Sequence, residues 1–405
     1  MTIRRQPADF EVREKVSERF LAGLTALAGG REGHVVYEVS KMSVTTPEAA
    51  AALARALSLR PGQVAYGGLK DKHATTTQVM SVPAGALTAG PPERIEGERW
   101  SARLLGAGLE AVTACAIDGN RFRIVVRGLT MRDVREMGRR ASLLRSEGTK
   151  EGPSTLLFVN YFGEQRFGSA RHGKGWIARE LIAGRFEEAL RLSIGTPARK
   201  DTGVRRVFTR LAATHWGDWA RLAREWPRCP ERAAVEVLAR TGDARRAFEA
   251  LPYFQQEMPV DAYQSHLWNA AAGRVVESLV EPGARLSSAD RSMVFAGCRG
   301  MPAAVREMGA VLPSPGMATG TLWGRTMLGV LSAEGLSPGD LRIPGLRRPE
   351  FGAGERALVA EAMGFVLGLP GADELDAGGR RLKRSVAFDL PRGAYATVLL
   401  RALGQ

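Results

Sequence analysis

Apolar and polar residues alternate over residues 9–14 and again over 33–39, the period-two pattern of half-buried strands. Thr45-Thr46-Pro47-Glu48 reads as a helix start, with proline tolerated in the first turn; the alanine-rich sequence beyond it sets Leu53 and Leu57 one turn apart. Another strand is expected over residues 77–82. The clearest strand spans 121–127, with Phe122, Ile124 and Val126 on one side and Arg121, Arg123 and Arg127 on the other. A sheet with one buried and one basic face suits an RNA platform and a plain solvated face equally well. Residues 131–145 read as a helix.

The texture changes after about residue 168. Helical patterns cover 178–192, 231–251 and 261–280, where Tyr263, Leu267 and Ala271 recur every fourth position. Pro/Gly clusters follow, and the alanine- and leucine-bearing stretch 355–367 reads as a further helix. Residues 385–390 return to strand texture, and 396–403 read as a short final helix. This order implies an α+β chain in which a mostly helical insertion interrupts a first domain that the C-terminus completes.

A length of 405 residues allows two or three domains. No run of eighteen apolar residues suggests a membrane span, and the start of the chain lacks an apolar leader. Cys115, Cys229 and Cys298 are widely spaced, which argues against a disulfide framework and fits a reducing cytoplasm. The five histidines form no ligand-spaced pair, so no metal is expected. Fifty-seven Lys and Arg against 43 Asp and Glu give a net charge of +14, which favours a polyanionic partner such as nucleic acid. Residues 160–210 alone carry eleven basic and five acidic side chains.

Two segments carry candidate chemistry. The first is Gly67-Gly68-Leu69-Lys70-Asp71-Lys72-His73-Ala74-Thr75-Thr76-Thr77-Gln78. Glycine permits close backbone approach, and lysines and hydroxyls suit phosphate. A carboxylate in such surroundings is expected to stay ionised, able to act as nucleophile or base. A surface turn with its Asp paired to its lysines is the competing reading. The second segment, Val159-Asn160-Tyr161-Phe162-Gly163-Glu164-Gln165-Arg166-Phe167-Gly168, combines flat aromatic faces with amides that can read a base edge. A tight turn with core aromatics is its alternative.

Together the two segments resemble the signature of the TruD family of pseudouridine synthases. Residues Ile3 to Glu14, the run Gly119-Asn120-Arg121-Phe122, and Leu390-Pro391-Arg392-Gly393-Ala394-Tyr395-Ala396-Thr397 resemble further blocks of that family, in family order. Where the family often has a basic run before the Gly-Asn strand entry, this chain has Val112-Thr113-Ala114-Cys115-Ala116-Ile117-Asp118. The resemblance implies a pseudouridine-synthase catalytic domain of mixed, mainly antiparallel sheet with flanking helices, over residues 1–167 and 373–405. It places a TruD-type insertion domain over 168–372. It implies Asp71 as the essential aspartate and Arg4 as its basic partner, at a position where lysine is usual. Asn160 and Phe162 would hold the target uracil, with Phe10 and Tyr395 as further pocket aromatics. Lys70, Lys72, Arg166, Arg171 and Lys174 are expected on phosphates. The implied activity is isomerisation of uridine to pseudouridine in tRNA, at uridine 13 in the D-arm, by a cytoplasmic monomer without cofactor. The alternatives are a non-catalytic RNA-binding protein and a pseudouridine synthase acting on another RNA.

Overall fold

A computed structural model describes residues 2–25, 32–146, 154–167, 171–172, 175–198 and 201–405, with only the main chain of 171–172. The chain divides into two compact units. The first comprises Met1–Val159, Gly283–Met301 and Val359–Gln405; the second comprises Asn160–Pro282 and Pro302–Leu358. Residues 283–301 and 359–372, which the resemblance grouped with the insertion, thus pack in the first unit, and residues 160–167, grouped with the catalytic domain, pack in the second.

The first unit is organised by one sheet of eleven strands among the described residues. In chain order they are β1 (Phe10–Val16), β2 (His34–Met42), β3 (Ala65–Tyr66), β4 (Thr75–Pro83), β5 (Arg94–Gly97), β6 (Trp100–Gly108), β7 (Ile117–Leu129), β8 (Ser154–Val159), β9 (Val359–Leu367), β10 (Gly371–Ala372) and β11 (Leu382–Pro391). The order across the sheet is β5-β6-β2-β4-β1-β7-β11-β9-β8, with β3 on β4 and β10 on β11. The β1–β4 pair is parallel, and the other pairs of this sheet are antiparallel. The architecture is therefore α+β with a mixed, mainly antiparallel sheet, as expected.

Local sequence explains the flanking helices. Thr45 and Glu48 form a reciprocal cap at the start of the helix Thr46–Ala56. That helix buries Ala49, Ala50, Leu53 and Ala54 against Tyr37, Val39 and Met80 of the sheet. At the sheet's centre, Phe122 stands edge-on to Phe10 at 6.2 Å and stacks with Phe388 at 5.5 Å.

Two expectations fail here. Residues 355–367 are extended, not helical: Glu355–Ala357 pairs with Gly309–Val311, and β9 lies between β8 and β11. Alanine and leucine favour a helix locally, but Ala360 and Ala362 bury one face of a sheet interior while Glu361 and Met363 face out; non-local pairing overrides propensity. Nor is the polar face of β7 uniformly basic. Arg127 is buried, donating to Asp9 at 2.8 Å, Asp373 at 2.7 Å and Glu374 at 3.1 Å. Arg121 and Lys15 both pair with Asp389, Arg123 with Glu11, and Arg13 and Arg103 with Glu38. The open face is a lattice of paired charge in which five basic side chains share three carboxylates.

The second unit is mainly helical. The region 178–192 breaks at Gly184 into Ile177–Ile182 and Phe186–Leu190, and 231–251 breaks at Gly242 into Arg232–Thr241 and Ala244–Glu249. Both glycines take positive φ, the usual way to end a helix. The longest helix, Tyr253–Leu279, starts eight residues earlier than its periodicity suggested and contains Pro259. Its Trp268 indole donates to the Ala310 carbonyl at 3.0 Å. Among the described residues, no helix is long and apolar enough to cross a membrane.

Candidate active site

In the first unit, Asp71 meets Arg4. Their carboxylate and guanidinium are 2.8 Å apart, and each side chain is about one quarter exposed. The same guanidinium lies 4.3 Å from the centre of the Phe10 ring, a cation–π distance. Arg4 therefore joins Phe10, six residues along the chain, to Asp71, which is far from both in sequence. Its φ of 131° is uncommon for a residue with a side chain, and such backbone tends to persist where surrounding contacts enforce it. Those contacts include a clamp just downstream. The Gln6 amide donates to Asp9, which in turn accepts from buried Arg127.

The Asp71 turn is held from beneath. A Cβ on Gly67 would come within 2.9 Å of the Thr113 carbonyl, so the close approach that glycine permits is made to the protein itself. The Lys70 amide donates to the Thr46 hydroxyl at 2.9 Å; that hydroxyl donates to Gln78 at 2.9 Å, and Gln78 donates to the Gly68 carbonyl at 3.3 Å. The Lys70 ammonium turns inward and sits 2.7 Å from buried Glu14, whose other oxygen accepts from the Val79 amide at 2.9 Å. Lys70 is thus matched to Glu14 instead of presenting a free charge, whereas Lys72 and His73 are exposed. Lys41, on β2, is buried and donates to the carbonyls of Val44 at 2.7 Å and Asp71 at 3.1 Å. Burial holds its ammonium down to about pH 8, against the opposing pull of Asp71. Tyr395 is half-buried at the residue preceding the helix Ala396–Ala402.

In the second unit, Asn160 and Phe162 follow β8 directly and are both buried. Arg356 organises them. It donates to the Asn160 side-chain oxygen at 2.7 Å and to the Asn160 carbonyl at 2.8 Å, and it lies over the Phe162 ring at 4.2 Å. The Asn160 amide nitrogen donates to the Ala357 carbonyl at 3.1 Å. Asn269 exchanges two hydrogen bonds with the Phe162 main chain, at 2.8 and 2.9 Å, and Trp268 presents its ring at 87° to Phe162. Arg166 pairs with Asp261 at 2.7 Å. Burial pushes the Asp261 carboxyl up, Arg166 draws it back, and Glu257 adds to the rise. Gly168 and Lys174, and the Arg171 side chain, lie outside the described residues.

The sequence reading missed Glu14, Lys41, Arg356 and Asn269. For the first two a signal was present. Glu14 shares its alternation with Phe10 and Val12, and Lys41 shares its own with Tyr37 and Val39, so both charges fall on buried faces. Arg356 and Asn269 had none, because their partners are distant in sequence.

Comparison with known proteins agrees along the whole chain. Residues 1–403 match the family described as tRNA pseudouridine synthase D (TruD). The chain is similar to tRNA pseudouridine synthase D of Geobacter metallireducens, at 31% identity over 92% of this chain and 89% of that one. It is similar to tRNA pseudouridine synthase D of Aquifex aeolicus, at 31% identity over 64% and 65% of the two chains. In fold it resembles the crystal structure of a TruD-family protein from Methanosarcina mazei, with a TM-score of 0.68 at 23% identity, covering 99% of this chain and 92% of the other.

Proposed function

This chain belongs to the tRNA pseudouridine synthase D (TruD) family, and on that premise we propose that it isomerises uridine 13 of tRNA to pseudouridine with Asp71 as the reacting carboxylate. The observation that carries the residue assignment is the Arg4–Asp71 pair at 2.8 Å, with Arg4 seated on Phe10. The reaction breaks the N1–C1′ bond, turns the base and joins C5 to C1′. The C5 proton is lost and N1 gains one, so there is no net redox change and no cofactor is called for. Asp71 either adds to C1′ or removes the C2′ proton, and both routes need an ionised carboxylate held in place. A guanidinium at 2.8 Å fixes the direction of the carboxylate.

Asn160 and Phe162 hold and stack the uracil in this reading, with Phe10 and Tyr395 as further stacking surfaces. Lifting the base from its stack costs a few kcal/mol, which favours a target in a loop or junction such as the D-arm region. In this reading exposed Lys72 meets phosphate, with Arg166 a further contact, and Lys70 supports the turn through Glu14. The second unit corresponds to the TruD-type insertion domain, and the chain works as a cytoplasmic monomer.

The test is to incubate the protein with unmodified tRNA and map pseudouridine by position. Product at position 13, abolished by Asp71→Asn with tRNA binding retained, is the expected result. Product at another position overturns the target, and turnover by the Asn variant overturns the role of Asp71.

A further inference from the structure

Lys41 lies near the end of β2, opposite Thr76 of β4 and Trp100 of β6, with its side chain buried. Its ammonium donates to two main-chain carbonyls, those of Val44 and Asp71. A buried cation is costly to desolvate, and neutral carbonyls offset that cost less well than a carboxylate does. The charged groups that act on it are few. Asp71 of the turn and Glu48 of the helix Thr46–Ala56 favour its protonated form, and Lys70 opposes it. Its strand neighbours Thr76 and Trp100 carry no charge. Asp71 is therefore held at both ends, by Arg4 at its carboxylate and by Lys41 at its carbonyl.

We propose that Lys41 is a positioning residue for the isomerisation: its ammonium fixes the main chain of Asp71 and supplies buried positive charge that keeps the carboxylate in its reactive place. This rests on Asp71 being the reacting group. A neutral lysine amine still has two hydrogens for its two carbonyls but has lost the charge, so titration isolates the electrostatic part. Burial places that titration at about pH 8, whereas arginine stays charged throughout the accessible range.

The experiment measures single-turnover pseudouridine formation on unmodified tRNA from about pH 6.5 to about pH 9.5, a window that brackets the lysine midpoint. The wild-type rate is expected to fall on the alkaline side with a midpoint of about 8, and Lys41→Arg to move that limb upward. Lys41→Met is expected to lose roughly 10- to 100-fold in rate at pH 7, the scale of a misplaced reacting group, with tRNA affinity little changed. An alkaline limb that Lys41→Arg leaves in place overturns the proposal, and so does a Met variant that reacts like wild type. The Arg variant decides the matter even where the Met variant does not fold. Absence of product from the wild type, or full activity of Asp71→Asn, would instead sink the functional reading beneath it.

Discussion

The Asp71 turn and the Asn160–Phe162 segment are held by different physics. Around Asp71 the contacts are largely ionic: Arg4 on its carboxylate, Lys41 on its carbonyl, and Lys70 on Glu14. Around Asn160 and Phe162 they are main-chain hydrogen bonds and ring packing, with Arg356 serving both. On the proposed function the difference has a reason: a reacting carboxylate has to stay accessible and is oriented by charges, whereas a residue that stacks on a base has to present a rigid, dry face and is oriented by packing. The first region should therefore answer to pH and charge, and the second to volume.

The largest effect expected is that of Asp71→Asn. It should lower pseudouridine formation by more than ~10³-fold while tRNA affinity, measured by filter binding, stays within a few-fold. Comparable loss of binding would mean that the turn is an RNA contact and not a reacting centre. Next in size is a pH effect on stability from Lys41, whose ordinary value of 10.5 falls to about 8 in the fold. Between those values the unfolded chain binds more protons than the folded one, so this site's contribution rises with pH across that window and is flat below it. The rise is on the order of 3 kcal/mol. Denaturant titrations of wild type and Lys41→Met at pH 7 and 10 measure it, and equal pH slopes in the two proteins would refute it. Stability and activity should thus diverge above pH 8, a signature that the packed segment has no means to produce.

On the proposed reading, Phe162→Ala removes a stacking face worth about 1–3 kcal/mol and should weaken kcat/KM by that amount, with general tRNA affinity less affected. Equal losses in both would make Phe162 a core residue alone. Smallest is Arg4→Met, expected to cost roughly three- to tenfold in rate because the pair is partly exposed, with Arg4→Lys recovering most of it. If Arg4→Met leaves the rate unchanged, the contrast between a charge-held and a packing-held region must be redrawn.

Much of the fold was legible in the chain. The alternation around Phe10, around Val35–Val39 and around Phe122 marked β1, β2 and β7, and Thr45 and Glu48 marked a helix start through their cap. These features rest on interactions within a few residues. The stretch now seen as β9 was misread because its alanine and leucine content is a local preference, while its strand partners lie about 20 residues ahead and about 200 behind. Arg127 was misread for a related reason: Asp9 and Asp373 can bury it, and both are more than a hundred residues away.

The candidate site divides along the same line. Asp71, Arg4, Phe10, Asn160, Phe162 and Tyr395 could be named from motif order alone, since residue type and spacing are properties of the chain. That Arg4 reaches Asp71, that Lys70 turns to Glu14, that Lys41 lies beneath the turn and that Arg356 organises Asn160 were decided by the tertiary structure. Local sequence sets which conformations are cheap. Which charges become partners depends on desolvation and on strand pairing across the whole sheet, and those terms exist only once the chain has folded.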